Sequence, residues 1–296
     1  MTTSLRTMTF VPGYKERFLE KARSFPSDAL ILDLEDSVPL PNKADARVFI
    51  RNSLEEKWHP QEVFVRVNSI DSGMLIEDLR ATLHAQTTGF MFTKALDEHD
   101  IIYFDKLLAQ LERDAGFPVG QFKMCPLIET GRAVLRAYEM ATASTRTVAL
   151  AFGGEDYLTD LDGLHKEHGT SLIVPRSLIV MAARSAHVGA IDTPYLDIQN
   201  LAGFQKEAEL ARELGFSGQL IIHPSQIEIA NTVFTPSEQE VREAKQIIEV
   251  IHESERLGSG VALLEGKLIG PPMRKRAEHI LNKMAEIQRT IDQRLE

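Results

Sequence analysis

The chain has 296 residues, 43% of them hydrophobic, and a formal charge of -10 with a sequence pI near 5.5. That length buries a large core and suits one α/β barrel with an extension, or two ordinary domains. The acidic balance excludes a nucleic-acid partner, whose phosphates need clustered Lys and Arg, and it promotes solubility.

Short β-rich runs at 8–11, 29–34, 63–67, 89–93, 124–128 and 148–152 read as strands. Amphipathic, helix-like stretches at 15–24, 44–54, 101–115 and 133–142 lie between them, and this alternation implies a parallel sheet. Residues 190–192 and 219–222 supply a seventh and an eighth strand around a helical pattern at 201–214, which stops at Gly215 as a C-cap. Eight units by residue 225 predict a closed TIM (β/α)8 barrel over residues 1–235, with a doubly wound open sheet as the alternative. Beyond it, 236–257 reads as a helix, 258–270 as a glycine-bounded turn-and-strand segment, and 273–295 as a second long helix. This C-terminal helical extension, residues 236–296, is too apolar to float free and is expected to pack on the barrel or on a neighbouring subunit.

No run approaches the ~20 apolar residues of a bilayer span, and no basic region with an apolar core opens the sequence. The expected location is the cytoplasm, with no membrane partner. Cys125 is the single cysteine, and its place beside Pro126-Leu127-Ile128 predicts a buried, inert thiol.

In a TIM barrel the active site forms at the C-terminal strand ends, so polar residues closing an apolar strand matter most. Strand two closes on Asp33-Leu34-Glu35-Asp36, strand three on Arg66-Val67-Asn68, strand five on Glu129-Thr130, and strand six on Gly153-Gly154-Glu155-Asp156. Glu129 and Asp156 would enter one mouth from adjacent strands as oxygen ligands suited to Mg2+, or each would cap the helix that follows it. Gly153 and Gly154 allow backbone to approach a ligand closely, so amides of that turn could hold a carboxylate; a plain tight turn explains the glycines too.

A buried Arg66 needs an anionic partner: a substrate carboxylate or developing enolate oxygen, or a salt bridge to Asp33, Glu35 or Asp36. Lys43 and Arg47, at the start of the helix after strand two, would hold phosphates or form a solvated helix face. Lys94 ends strand four, where an amine could form a Schiff base with a carbonyl substrate. His223-Pro224-Ser225 ends strand eight as a site residue or a packed turn. His165 and His168 flank Glu167 with no third zinc ligand in evidence. There is no P-loop, no Gly-x-Gly-x-x-Gly after a strand and no nucleophile elbow.

As an ordered set, Phe10-Val11-Pro12-Gly13, Leu32-Asp33-Leu34-Glu35-Asp36-Ser37-Val38, Val65-Arg66-Val67-Asn68, Leu127-Ile128-Glu129-Thr130, Phe152-Gly153-Gly154-Glu155-Asp156 and Ile222-His223-Pro224-Ser225-Gln226 form a specific signature. The chain resembles, over nearly its whole length, the citrate lyase beta-subunit-like branch of the HpcH/HpaI aldolase superfamily, which includes malyl-CoA and citramalyl-CoA lyases. The resemblance implies a TIM barrel, a homo-oligomer (trimer or hexamer), and Mg2+ held by Glu129 and Asp156. It also implies Arg66 facing the substrate carbonyl, amides of the Gly153–Glu155 turn (Gly153, Gly154, Glu155) on an oxoacid carboxylate, and Lys43 and Arg47 against coenzyme A. The implied reaction is Mg2+-dependent carbon–carbon cleavage of a small 3-hydroxyacyl-CoA thioester of malyl-, citramalyl- or citryl-CoA type, giving an acyl-CoA and an oxoacid.

Two departures qualify the resemblance. Many relatives carry Gly-Lys where this chain has Gly218-Gln219, and an Asp lent to a neighbouring subunit as acid or base where this chain has Gly270. Glycine cannot transfer a proton, which leaves Asp36 or Glu35 as the candidate acid/base. The same departure opens an acyl-CoA thioesterase or a CoA-independent oxoacid aldolase on this scaffold. A subunit acting on a carrier-protein thioester inside a multienzyme complex, and a non-catalytic ligand-binding paralogue, complete the alternatives.

Overall fold

The computed structural model describes residues 5–58, 60–164, 169–256, 262–264 and 266–295. Parallel strands β1 (Thr7–Pro12), β2 (Ala29–Asp33), β3 (Glu62–Val67), β4 (Gly89–Phe92), β5 (Lys123–Ile128), β6 (Ala149–Phe152), β7 (Gly189–Asp192) and β8 (Gly218–Ile221) hydrogen-bond in sequence order, and β8 closes on β1. The closed barrel is therefore found and the open sheet is not. The strands are apolar on both faces because their inner sides fill the barrel while their outer sides meet helices. Met8, Ile31, Phe64, Met91, Leu127, Ala151, Ile191 and Leu220 belong to the interior cluster. Phe92, on the other side of β4, stacks on Phe104 of the helix Glu98–Ala115 with centroids 3.8 Å apart.

Cys125 lies in the interior cluster, and burial pushes its thiol up to about 12, as expected of an inert group. The helix predicted over 133–142 is instead two, Gly131–Leu135 and Ala137–Thr142, because Arg136 between them leaves helical geometry at φ -110° and ψ 11°. Its guanidinium reaches across to Glu98 and Glu139.

Outside the barrel, Glu112 is wholly buried and accepts two hydrogen bonds of 2.6 Å from Arg146, together with the amides of Gly120 and Phe122. Burial opposes its ionisation, yet Arg146 and those amides hold its carboxyl below the ordinary value of 4.5. Glu112→Gln is expected to cost about 3 kcal/mol in urea unfolding at neutral pH, since it leaves part of a buried charge uncompensated. A depressed folded-state pKa gives stability that is present above the unfolded value and lost as pH falls through the folded one. The deficit of the variant should accordingly shrink below pH 4.5.

Residues Leu5–Asn231 form one compact unit and the segment from Thr232 onward belongs to another. The second unit consists largely of the helices Glu238–Arg256 and Pro271–Leu295 with an antiparallel hairpin between them, β9 (Ala262–Leu264) and β10 (Lys267–Ile269). Ile251, Ala262 and Ile269 make its buried centre, flanked by Ile247, Val250, Leu264 and Met273. Among the described residues no helix is long and apolar enough to cross a membrane.

Candidate active site

Strand alternation carries the interior rows of the barrel up into its C-terminal mouth. Ala29 and Ile31, Phe64, Leu127, Ala149 and Ala151, and Ile191 all face inward. Counting on by two places Asp33, Arg66, Glu129, Gly153 and Thr193 on the same rows, one layer higher.

Asp33 and Arg66 are register partners on β2 and β3. Nε and Nη2 of Arg66 donate to the two carboxylate oxygens of Asp33 at 2.7 and 2.6 Å. Nη1 lies 3.1 Å from Glu35 and 3.5 Å from Asp36, and the guanidinium sits 4.6 Å over the Phe10 ring. The salt-bridge reading of Arg66 is realised with all three acids at once. Burial works against the Asp33 carboxylate, but Arg66, Ser37 and the Glu35 amide hold it below its usual range. Glu35 moves the other way: burial, with Asp36 beside it, outweighs Arg66 and Lys94 and raises it.

Glu129 stands one residue past β5 and is 1% exposed. Its Oε1 accepts the backbone N–H of Lys94. A Cβ on Gly153 would fall 2.8 Å from Glu129 Cβ, so only glycine lets β6 pass the carboxylate. Asp156 lies exposed in the first turn of the helix Gly154–Asp160. Burial, then the charges of Asp156 and Glu35, push Glu129 up to about 8, which the Lys94 amide and Arg66 offset only in part. Carboxylates from three strand ends thus repel one another electrostatically at Glu129, and a hard divalent cation with oxygen ligands is the group that would relieve that repulsion. The helix-capping reading of Glu129 fails, because the hydroxyl of Thr130 caps the helix Gly131–Leu135 through the Ala133 amide. Asp156, by contrast, does occupy a helix's first turn.

Other expected contacts are arranged differently. The Gly153 amide donates to Ile128 O and the Gly154 amide to Thr193 Oγ1, both at 2.9 Å, so neither presents its N–H to a carboxylate. The two glycines are there for space, against Glu129 and Thr193 respectively. Lys43 is buried beneath the loop after β2, where its ammonium donates to Leu34 O, Glu35 O and Asn68 Oδ1 at 2.6 to 2.7 Å. Arg47 is held by Asp78 at 2.9 Å and Glu77 at 2.7 Å. Lys43 ties its helix, Lys43–Leu54, to the loop after β2 and to Asn68, while Arg47 ties the same helix to the helix Leu75–Thr82, so both cations already have protein partners.

Lys94 carries more of the site than its sequence position suggests. It adopts φ +55°, which aims its amide at Glu129, while its ammonium lies 3.3 Å from Glu35. Burial is outweighed by Glu35, Asp36 and Glu129, which raise its pKa, the opposite of what a Schiff-base amine requires. His223 is an exposed turn residue whose Nδ1 pairs with Ser225. Glu155 is half-buried beside Asp156. His165, Glu167 and His168 lie outside the described residues. Asp97, Glu98 and His99 converge within metal-ligand range, but Arg132 and Arg136 already neutralise the two acids.

Two features escaped sequence reasoning. Thr193 is one, and strand parity would have found it. The other follows β1, where Lys15 lies 4.9 Å over the Tyr14 ring and 5.4 Å over the Phe18 ring, with Arg17 5.0 Å over Phe18 as well. Basic residues interleaved with aromatics directly after a strand end were the available signal.

The HpcH/HpaI aldolase/citrate lyase family model matches residues 6–224. Citrate lyase subunit beta of Haemophilus influenzae is 36% identical over 279 residues, which covers 94% of this chain and 96% of that protein. A (3S)-malyl-CoA thioesterase of Cereibacter sphaeroides is 33% identical over 265 residues, 89% of each chain. The crystal structure of the protein CitE from Mycobacterium tuberculosis in complex with magnesium, acetoacetate and coenzyme A superposes with a TM-score of 0.75 at 27% identity, covering 95% of this chain and 98% of that one.

Proposed function

The chain belongs to the HpcH/HpaI aldolase/citrate lyase family, and from that premise we propose a Mg2+-dependent carbon–carbon lyase of small 3-hydroxyacyl-CoA thioesters of malyl-, citramalyl- or citryl-CoA type, acting in the cytoplasm as a homo-oligomer, trimer or hexamer. The observation that carries the reading is the buried carboxylate of Glu129, held by the Lys94 amide and raised in pKa by burial and by the nearby charges of Asp156 and Glu35. Magnesium in the CitE complex supports the same choice of ion for Glu129 and Asp156.

When bound, Mg2+ supplies Lewis acidity to the hydroxyl and carboxylate oxygens of the substrate. Glu35, raised by burial, is the base that takes the hydroxyl proton, with Asp36 beside it as the alternative. As that proton leaves, the C–O bond becomes the carbonyl of the oxoacid, the C–C bond breaks, and its electron pair passes to the thioester as an enolate. Nη1 of Arg66, the guanidinium nitrogen not bonded to Asp33, stabilises that oxygen. Return of a proton to the enolate carbon completes the acyl-CoA. Lys43 and Arg47 have protein partners, so the phosphates of coenzyme A fall instead to Lys15 and Arg17, with Tyr14 and Phe18 as flat surfaces for its adenine.

Gly270 supports a second reading, a thioesterase, because no side chain there can serve as acid or base, and a malyl-CoA thioesterase is among the relatives. Mass-spectrometric product analysis with malyl-, citramalyl- and citryl-CoA separates the two. The lyase is expected to release a shorter acyl-CoA and an oxoacid with Mg2+ and neither with EDTA, with recovery when Mg2+ is returned. Free CoA with intact hydroxyacid would establish the thioesterase, and the absence of any metal-dependent product would remove both.

A further inference from the structure

Thr193 is the inward residue directly after β7 and is 4% exposed. Its hydroxyl oxygen accepts the Gly154 N–H at 2.9 Å, and a Cβ on Gly154 would meet that oxygen at 2.8 Å. Its carbonyl is held in turn by Gln219 Nε2 at 3.2 Å, and the preceding Asp192 is fixed by Arg176 Nε and Nη2, each at 3.1 Å. Gly154 opens the helix that carries Asp156 two residues later. On the other side of the same turn, Gly153 abuts Glu129. The turn after β6 is therefore gripped from both neighbouring strands, by Glu129 of β5 and by Thr193 of β7.

We propose that Thr193 is a positioning residue that sets the mouth's affinity for a divalent cation, by fixing through the Gly154 amide where Asp156 stands relative to Glu129. The inference rests on the reading of Glu129 and Asp156 as the metal pair. Removal of the hydroxyl leaves a buried N–H with no acceptor, and the turn can regain a partner only by shifting. A shift of the turn moves Asp156, while Glu129 stays pinned by the Lys94 amide. The closeness of the contact explains why position 154 is glycine and why the residue facing it is small and polar.

The test is a titration of the purified full-length chain with Mn2+, free ion being read by electron paramagnetic resonance, beside thermal unfolding without metal. Thr193→Val keeps shape and loses the acceptor, and its Kd for Mn2+ is expected to rise about tenfold. Thr193→Ser keeps the acceptor and should stay within about twofold of wild type. A merely structural role would lower the Tm of Thr193→Val and leave the Kd of its folded fraction unchanged, and that result overturns the inference while leaving the metal pair in place. If wild type itself takes up no Mn2+, the metal-pair reading fails and this inference goes with it. Thr193→Ala, which removes any crowding by the second methyl, carries the same expectation should the valine variant not fold.

Discussion

Glu129→Gln is expected to lower Mg2+-dependent turnover by about a thousandfold while leaving the metal-free protein at least as stable as wild type. The two effects have one cause. Burial and the charges of Asp156 and Glu35 make an ionised carboxylate at 129 costly, and a bound cation reverses that cost. Glutamine keeps the shape and keeps an oxygen for the Lys94 amide, but it offers no charge to a metal. Asp156→Asn should lose turnover equally and hardly alter the metal-free Tm, because Asp156 is exposed. Calorimetric Mg2+ titration and melting curves with and without Mg2+ read both quantities. If Glu129→Gln kept EDTA-sensitive activity within tenfold of wild type, Glu129 would not be a metal ligand.

That contrast between a buried and an exposed acid was not legible in the sequence, although the acids themselves were. Apolar runs closed by polar residues marked the ends of strands two, three, five and six, because a barrel strand must be apolar where it is buried and can turn polar only at the mouth. The same residues did not tell which cations were committed. Lys43 lies nine residues from the carbonyl of Leu34 and twenty-five from Asn68, and only the folded loop brings all of its acceptors together. Glycine at 153 and 154 pointed equally to a ligand or to a turn, and the neighbours at 129 and 193 decided for close packing. Pro175 conceals a helix for a related reason. The segment Thr170–Ser185 stays helical through it, with Leu172, Ile179 and Ala183 buried, so packing outweighs a local breaker. Thr193 was missed because a threonine after a short strand carries no motif; its parity with Ile191 is the only sequence trace of its position.

Arg66→Lys is expected to cost about 3 kcal/mol or more in denaturant unfolding, and to remove activity even where the variant is fully folded. Charge is retained, so a purely Coulombic account predicts a mild change. The geometry predicts a severe one. Asp33 is completely buried and bound by two parallel N–H bonds from the guanidinium, with a third nitrogen left for Glu35. An ammonium cannot reproduce that fork while also lying flat over Phe10, so at least one of the two acids loses its partner in a dry site. A double variant, Asp33→Asn with Arg66→Met, removes the buried pair together and should recover much of the stability of the single lysine variant. Activity should not return with it, because the nitrogen assigned to the enolate is still gone. Recovery of both would make Arg66 a structural clamp alone, and would move stabilisation of the enolate to Lys94, the other cation beside Glu35.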